Sequence, residues 1–568
     1  MKKSTTSDVR IYLAQQNYHI GNFEANTAKI IAAIREAKQQ GGDLIIFSEL
    51  CICGYPPKDF LEFEDFIKQS LAAVEMIKEE TDTIAVLIGA PSRNPKPEGK
   101  DLFNSAYFLF EKEVKAVVNK TLLPNYDVFD EYRYFEPSFT WNVIPFKSHR
   151  LAVTICEDIW NLVEDPLYRV CPMDLMMPQS PDLMINLSAS PFDYVHGEGR
   201  LHIIRENVER YQLPMIYCNT VGAQTELVFD GSSIVMNKNA DLMLQMPSFE
   251  EAMAMIEFRP DGSIGGTPIS KASELKEREK IPETFDEHHN ISLVHTALVT
   301  GIRDYFQKMN FKEAIVASSG GIDSAVVLAL ASEALGAKHV RALLMPSQFS
   351  SDHSVTDAVL LSENLGNPYD ILSIKSIFES MMMTLEPVFE GKPFSLAEEN
   401  LQSRIRGNLV MGLANKFNYI LLNTSNKSEL ATGYGTLYGD MAGGLGVLGD
   451  VYKQQVYELA RYINRNGEII PQNIIDKAPS AELRPGQKDS DSLPDYATMD
   501  AILYQYIERR QGPPEIIALG FEEKLVARIL RMVNLNEYKR NQFCPIIRVS
   551  PKAFGTGRRM PIVGKYLS

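Results

Sequence analysis

The chain has 568 residues, 45% hydrophobic and 23% charged, ordinary values for a folded globular protein that exclude intrinsic disorder. That length accommodates about four average domains or two large ones, with ample chain to bury cores without staples. The net charge of −16 argues against a general nucleic-acid partner, six cysteines are too few for a disulfide framework, and no apolar run approaches the ~18 residues of a membrane span.

The N-terminus, Met1-Lys2-Lys3 followed by Ser4-Thr5-Thr6-Ser7-Asp8, has no apolar core of a signal peptide, so we expect a cytoplasmic protein with no membrane partner. No solenoid repeat or low-complexity tract interrupts the chain. A strand is predicted over 10–15 and an amphipathic helix over 23–39. Strands follow over 43–50 (DLIIFSEL) and 83–90 (TIAVLIGA), then a hairpin over 104–120. Further strands are predicted over 150–156 (RLAVTIC), 182–187 (DLMINL) and 214–220. Short continuous apolar runs of this kind are the pattern of strands buried on both faces.

Around 258–287 the periodicity dissolves into RPDGSIGGTP and KASELKEREK. This predicts a linker, 261–288, between a first domain over 1–260 and a second over 289–568. The second half opens with a helix over 292–309. A strand (313–317), a helix (323–335) and a strand (340–345) then form a βαβ unit, whose usual context is a parallel sheet. A long helix is predicted over 396–417 and a strand over 419–423. Beyond 481, Pro-, Gly- and Asp-rich stretches mix with short helices.

Between the strand EAIVA and the helix SAVVLAL lies Ser318-Ser319-Gly320-Gly321-Ile322-Asp323-Ser324. Two glycines let a turn bring backbone N–H groups close to an anion, and the helix N-terminus adds favourable dipole charge. Ser319 and Ser324 offer hydroxyls to phosphate oxygens. Asp323 either caps the helix or holds Mg²⁺ against a triphosphate. A plain Ser/Gly turn would carry the same residues, and there is no Walker A sequence. SGGIDS in this setting resembles the pyrophosphate loop of the N-type ATP pyrophosphatases, which adenylate an oxygen and let an amine or ammonia displace AMP.

A second segment, Leu422-Asn423-Thr424-Ser425-Asn426-Lys427-Ser428-Glu429 followed by Gly433-Tyr434-Gly435-Thr436-Leu437-Tyr438-Gly439-Asp440, resembles the NAD synthetase signature. Asn400 and Ser550-Pro551-Lys552-Ala553-Phe554 match it too. The resemblance implies that the loop Ser318–Ser324 and Thr424 bind ATP. It implies that Asn400, Glu429, Tyr434, Gly435, Thr436, Leu437 and Lys552 bind a nicotinic-acid dinucleotide, with Asp323 and Glu429 as Mg²⁺ carboxylates. Carboxylates with Mg²⁺ spread charge over a leaving pyrophosphate, and Lys552 or Lys427 can offset charge on an adenylate. Gly444-Leu445-Gly446-Val447-Leu448-Gly449 spells GxGxxG, but no strand is predicted before it, so the dinucleotide-fold reading fails.

In the first half, Glu49, Lys120 and Cys156 lie at or near the ends of strand-like runs. A cysteine nucleophile needs a proton acceptor and a setting that favours thiolate. A carboxylate can take the proton, and a lysine can stabilise the thiolate and a tetrahedral oxyanion. Cys156 by itself reads as a small buried residue. The blocks FSELCICGY, NKTLLPNYDVFDEYRYF and TICEDIW resemble the nitrilase superfamily. That resemblance implies an αββα sandwich with Glu49 as base, Lys120 as oxyanion stabiliser and Cys156 as nucleophile. Glu131 matches a supporting glutamate, and Tyr126 and Ser190 match glutamine contacts. His196 stands where that branch usually has Lys or Arg, so His196 or Arg200 is expected to meet the substrate carboxylate. Cys51 and Cys53 form a CxC with no second half of a zinc site, and Cys171, Cys218 and Cys544 read as core or surface thiols.

An amidase releases ammonia and an adenylating synthetase consumes it, and coupling the two keeps the nitrogen unprotonated. The chain as a whole resembles the glutamine-dependent NAD synthetases: α/β throughout, a nitrilase-like sandwich followed by a parallel-sheet ATP pyrophosphatase domain. The implied chemistry is amidation of deamido-NAD to NAD through an NAD-adenylate, with glutamine, ATP and deamido-NAD as small-molecule partners, ATP as a substrate and Mg²⁺ as cofactor. A homo-oligomer is implied as well. Another amidotransferase of this type with a different acceptor, or a stand-alone amidase, are the alternatives. The stretch 481–494 (AELRPGQKDSDSLP) is expected to be a mobile lid or a passive surface loop.

Overall fold

The computed structural model describes residues 8–162, 166–275, 282–491 and 493–567. The chain divides into two compact units. Their boundary falls at 280 and 281, and the short segments 193–195 and 225–227 group with the second unit. That boundary lies inside the stretch read as a linker, but the stretch is not wholly linker. Ile264 bridges to Phe258, Ser270 bridges to Leu242, and Ala272 and Leu275 pack on the apolar core of the first unit.

The first unit is a sandwich of two sheets. Strands β1 (Val9–Gln15), β2 (Leu44–Ile46), β3 (Ala85–Arg93), β4 (Leu102–Phe110) and β5 (Glu113–Asn119) run side by side in one sheet. The second sheet contains β6 (Ile144–Phe146), β7 (His149–Ile155), β8 (Leu183–Ser188), β9 (Met215–Asn219), β10 (Ile234–Met236) and β11 (Leu242–Gln245). Strand β12 (Ala252–Phe258) returns to the first sheet, antiparallel to β1. Alternation along each strand builds the layers. Ile11, Leu13, Leu44, Ile46, Leu151, Val153 and Ile155 fill one core with Leu183, Ile185 and Leu187. The opposite side chains of the second sheet, Ala152, Met184, Met215 and Tyr217, pack with Ile203, Ile204 and Val208.

Three helices make the outer layers legible. Helix α1 (Phe23–Gln39) starts where the Asn22 side chain caps the N–H of Ala25, and it buries Phe23, Thr27, Ile30, Ile34 and Ala37 at helical spacing. Helix α3 (His196–Tyr211) covers the second sheet, while α2 (Glu64–Lys78) packs beside α1 and β3.

The second unit is built on a parallel sheet of β13 (Glu313–Ala317), β14 (Val340–Leu344), β15 (Tyr369–Ile371), β16 (Tyr419–Asn423) and β17 (Leu445–Gly446), in the order β15-β14-β13-β16-β17. The order reverses between β13 and β16. Ligands of open α/β sheets bind in the crevice beyond the strand C-termini at such a switch point. The helices that matter there are α4 (Ile291–Met309), α5 (Ile322–Leu335), α6 (Asp352–Leu365), α7 (Leu396–Phe417), α8 (Lys427–Thr432), α9 (Lys453–Ile463) and α10 (Tyr496–Ile507). The last of these, together with a helix over Glu523–Leu535, is longer than the short helices expected beyond 481. No helix among the described residues is long and apolar enough to cross a membrane.

Candidate active sites

Glu49 does not close a strand. Strand β2 stops at Ile46, and the chain then turns tightly, with Leu50 at φ 44°. The turn is possible because residue 89 is glycine: a Cβ there would lie 2.2 Å from the Leu50 nitrogen. Lys120 follows the end of β5, and its N–H donates to the Asn104 carbonyl at 2.8 Å. Cys156 is the first residue beyond β7 and holds φ at +42°, a strained setting for a non-glycine residue. Asp158 secures that turn by accepting from the N–H of Ile155 at 3.0 Å, and it ties the turn to the N–H groups of Thr121 and Leu122.

These elements bring the three residues and Glu131 into one dry cluster. The Lys120 ammonium donates to Glu49 Oε1 at 2.8 Å and to both Glu131 oxygens at 2.9 and 2.8 Å. Asn104 donates to Glu49 Oε1 at 2.7 Å, and Ala189 N–H donates to Glu49 Oε2 at 3.0 Å. The Tyr55 hydroxyl donates to Glu131 at 2.8 Å. Lys120 is 0% and Glu49 2% exposed, so each charge depends on the others. Burial pushes the Glu131 carboxyl up to about 7 against the pull of Lys120, with Glu49 adding to the rise. Burial, and then Glu49, push the Cys156 thiol well up, while Lys120 draws it back. Burial therefore favours the thiol over the thiolate, and attack by the sulfur requires that its proton leave.

Beside this cluster, Glu157 is a residue the sequence reading passed over. Its carboxylate accepts from the Tyr126 hydroxyl at 2.9 and 3.1 Å and from Tyr168 at 3.1 Å. Tyr126 itself is 42% exposed, so this buried acid sits behind an accessible aromatic ring. Ser190 is buried, with its N–H on Asn219 at 2.9 Å. Arg200 does not fit the role considered for it. Its guanidinium is buried and forked onto Asp230 at 3.0 and 2.9 Å, which occupies the groups a substrate carboxylate would need. The side chain of His196 lies outside the described residues. Cys51, Cys53 and Cys218 are core residues, and no cluster of three or more His, Cys, Asp or Glu side chains placed to hold a metal occurs among the described residues.

In the second unit a cavity of about 720 Å³ opens at the switch point. The loop after β13 lines it. Gly320 has φ +77°, and a Cβ there would stand 2.2 Å from the Ser354 carbonyl oxygen, so only glycine fits. Ser324 Oγ donates to the Gly321 carbonyl at 3.0 Å, and the Gly321 N–H donates to Ser319 Oγ at 3.2 Å. Of the residues expected to bind ATP, Ser318, Ser319, Gly321, Ile322, Asp323, Ser324 and Thr424 line the cavity. Asn400, Glu429, Tyr434, Gly435, Thr436 and Leu437 line it too. Thr436 Oγ1 donates to Asn400 Oδ1 at 2.7 Å and joins two of them. Gly320 lies behind the lining, against Ser354.

Asp323 accepts from Asn426 at 2.9 Å and is ion-paired with Lys453, whose ammonium is 3.9 Å from Glu429. Burial, and then the Asp323 charge, hold the Glu429 carboxyl well above its ordinary range. Two oxygen-ligand carboxylates that repel each other across one buried lysine suit a hard divalent cation.

Two lysines depart from the sequence reading. Lys427 does not face an adenylate: fully buried, it donates to Glu508 and Ser550 at 2.7 Å and to the Lys552 carbonyl at 2.9 Å, and it pairs with Asp450 at 2.9 Å. Lys552 is not part of the cavity lining, whereas Lys539 is. Lys539 donates to the carbonyls of Gly433 and Gly435 at 2.7 and 2.8 Å, and burial pulls its ammonium down. Lys453 opens α9 and Lys539 lies in a four-residue helix over Glu537–Arg540; no local signal marked either. Residues 481–483, 487 and 489 of the expected lid also line the cavity.

Comparison with known proteins covers both units. The carbon-nitrogen hydrolase model matches residues 10–262 and the NAD synthase model residues 294–543. The chain is 43% identical to the glutamine-dependent NAD(+) synthetase of Synechocystis sp. over 97% of its own length and 98% of that protein's. It is 39% identical to that of Thermotoga maritima over 98% and 99%. Among solved structures it is similar to a glutamine-dependent NAD+ synthetase from Acinetobacter baumannii in complex with ADP, with a TM-score of 0.75, 38% identity and 99% of each chain covered.

Proposed function

Because the chain belongs to the glutamine-dependent NAD(+) synthetase family, we propose that it makes NAD from deamido-NAD, ATP and glutamine, each unit catalysing one half of the reaction. The observation that carries this reading is the pairing on one chain of a buried Glu–Lys–Cys cluster with a triphosphate-sized cavity walled by a phosphate loop.

In the first unit, glutamine enters past Tyr126, and Glu157 accepts its α-ammonium group. Glu49 takes the Cys156 proton as the sulfur attacks the amide carbon. The Lys120 charge stabilises the oxyanion that forms, and Glu131 keeps Lys120 protonated and in place. The proton then passes from Glu49 to the leaving nitrogen, ammonia departs, and water activated by Glu49 hydrolyses the glutamyl thioester.

In the second unit, the N–H groups and hydroxyls of Ser318–Ser324 cradle the ATP phosphates, with Thr424 and Lys453 beside them. Asn400, Tyr434–Leu437 and Lys539 hold deamido-NAD, with Lys539 in the role the sequence had suggested for Lys552. Asp323 and Glu429 would hold Mg²⁺, which when bound neutralises charge on the departing pyrophosphate. The nicotinate carboxylate attacks the α-phosphorus, pyrophosphate leaves, and ammonia displaces AMP from the resulting NAD-adenylate. Residues 481–489 close over this intermediate and limit its hydrolysis.

Amide-¹⁵N glutamine supplied with ATP, Mg²⁺ and deamido-NAD tests the whole scheme. Labelled NAD formed with AMP and pyrophosphate is the expected result. Glutamate without NAD would confine the reading to the first unit.

A further inference from the structure

Arg406 stands apart from the other cations of the synthetase cavity. It lies on α7 and its guanidinium lines the cavity, yet its one hydrogen bond among the described residues runs from Nε to the Met345 carbonyl at 3.0 Å. Lys453 is paired with Asp323, Lys477 with Glu482 at 2.6 Å, and Lys539 is spent on two carbonyls. Arg404, two residues before, is exposed and its Nε meets the Leu437 carbonyl at 3.3 Å. Among the described residues no acceptor meets the two terminal nitrogens of Arg406, which leaves a fork on a residue that lines the cavity. Burial pulls this guanidinium down to about 10, more than the distant Asp440 and Glu482 charges restore. A half-buried cation so poorly compensated is stabilised by any anion that enters beside it.

The anchor of Arg406 indicates which anion. Met345 directly follows β14, and the carbonyl of Leu343 on that strand holds the N–H of Ser318, the first residue of the phosphate loop, at 2.9 Å. The Ser354 carbonyl lies against Gly320 of the same loop. Arg406 is therefore braced on the wall that carries the phosphate cradle. Planar bidentate recognition of phosphoryl oxygens is what an unengaged guanidinium fork provides.

We propose that Arg406 binds a phosphoryl group of ATP. The proposal rests on the reading of this cavity as the adenylation site. Deamido-NAD carries phosphates too, so the experiment must separate the two substrates.

The full-length protein and its Arg406→Gln and Arg406→Lys variants would be assayed with ammonia as the nitrogen source, varying ATP and deamido-NAD in turn. In Arg406→Gln the KM for ATP is expected to rise about tenfold or more, with the KM for deamido-NAD within about twofold of its starting value. Calorimetric titration of each protein with Mg²⁺-ATP and with adenosine gives a second readout: ATP binding weakens and adenosine binding does not. Arg406→Lys keeps charge and stem but not the fork, and carries the test if the glutamine variant does not fold; its KM for ATP is also expected to rise. A rise confined to the KM for deamido-NAD, unchanged constants, or equal weakening of ATP and adenosine would overturn the proposal. The last result would make Arg406 a brace for Met345 only. A parent protein that makes no NAD from ammonia, ATP and deamido-NAD would instead overturn the reading of the cavity, a failure visible before any variant is made.

Discussion

The two candidate sites manage buried charge in opposite ways. Around Lys120 the polar groups satisfy one another: the ammonium has carboxylate oxygens on both sides, and those oxygens are held by Asn104, Tyr55 and a backbone N–H. The synthetase cavity is left incomplete. Glu429 is raised by burial and then by its neighbour Asp323, Lys539 is pulled down by burial, and the Arg406 fork has no acceptor among the described residues. A site for a neutral amide can be finished by the protein itself, because the substrate brings no net charge to the scissile bond. A site for a polyanion and a divalent cation must leave charge unbalanced until they arrive.

The largest expected effect separates the sites completely. Cys156→Ala should lower glutamine-dependent NAD formation by about 10⁴-fold or more while leaving the ammonia-dependent rate near its original value. Retained glutamine use would remove Cys156 as the nucleophile. Next in size, Lys120→Met leaves Glu49 and Glu131 facing each other in a dry site, and should destabilise the first unit by about 3–5 kcal/mol. Urea denaturation followed by fluorescence would read this, and an unmoved midpoint would contradict the picture of a mutually dependent cluster.

Smaller effects test the substrate contacts. Glu157→Gln removes the charge offered to the glutamine ammonium and should raise the KM for glutamine about tenfold, with ammonia-dependent turnover unaffected. If KM stays put and only kcat falls, Glu157 acts on the chemistry instead. The pH dependence is the finest probe. The Glu131 carboxyl, raised to about 7 mainly by burial, gains a proton as pH falls through that value, and its negative charge beside Lys120 is lost. Glutaminase kcat/KM should therefore decline on the acid side with a midpoint near 7, and Glu131→Gln should abolish that limb at the cost of a lower plateau. An acid limb that survives in Glu131→Gln would assign the titration to another group.

How far the sequence reached differs between these regions. The loop Ser318–Ser324 was legible as a strand–glycine turn–helix unit, because its parts are contiguous in the chain, the local arrangement a phosphate cradle needs. Helix α1 was legible for the same reason, its apolar stripe recurring at helical spacing over 23–39. The strand drawn over 43–50 was too long. Its apolar run continues past Ile46, but the turn at Leu50 depends on Gly89 across the sheet, which no window around Glu49 contains. Arg200 shows the same blindness: it was offered as the alternative to His196 for a substrate contact, and only the fold supplied Asp230 to occupy it.

By itself the sequence determined the two-part α/β organisation and pointed to the loop Ser318–Ser324 and to Glu49, Lys120 and Cys156 as the residues to examine. Composition, periodicity and contiguous motifs carry that information, and each is a property of neighbouring residues. The tertiary structure alone decided which charges meet. It buried Lys427 against Glu508 and Asp450, brought Lys453 to Asp323 and Lys539 to the cavity wall, and put Glu157 in contact with Tyr126. The physical reason is range: a hydrogen bond or an ion pair in a dry site acts over a few ångströms in space, between side chains that can stand more than a hundred residues apart, as Asp323 and Lys453 do.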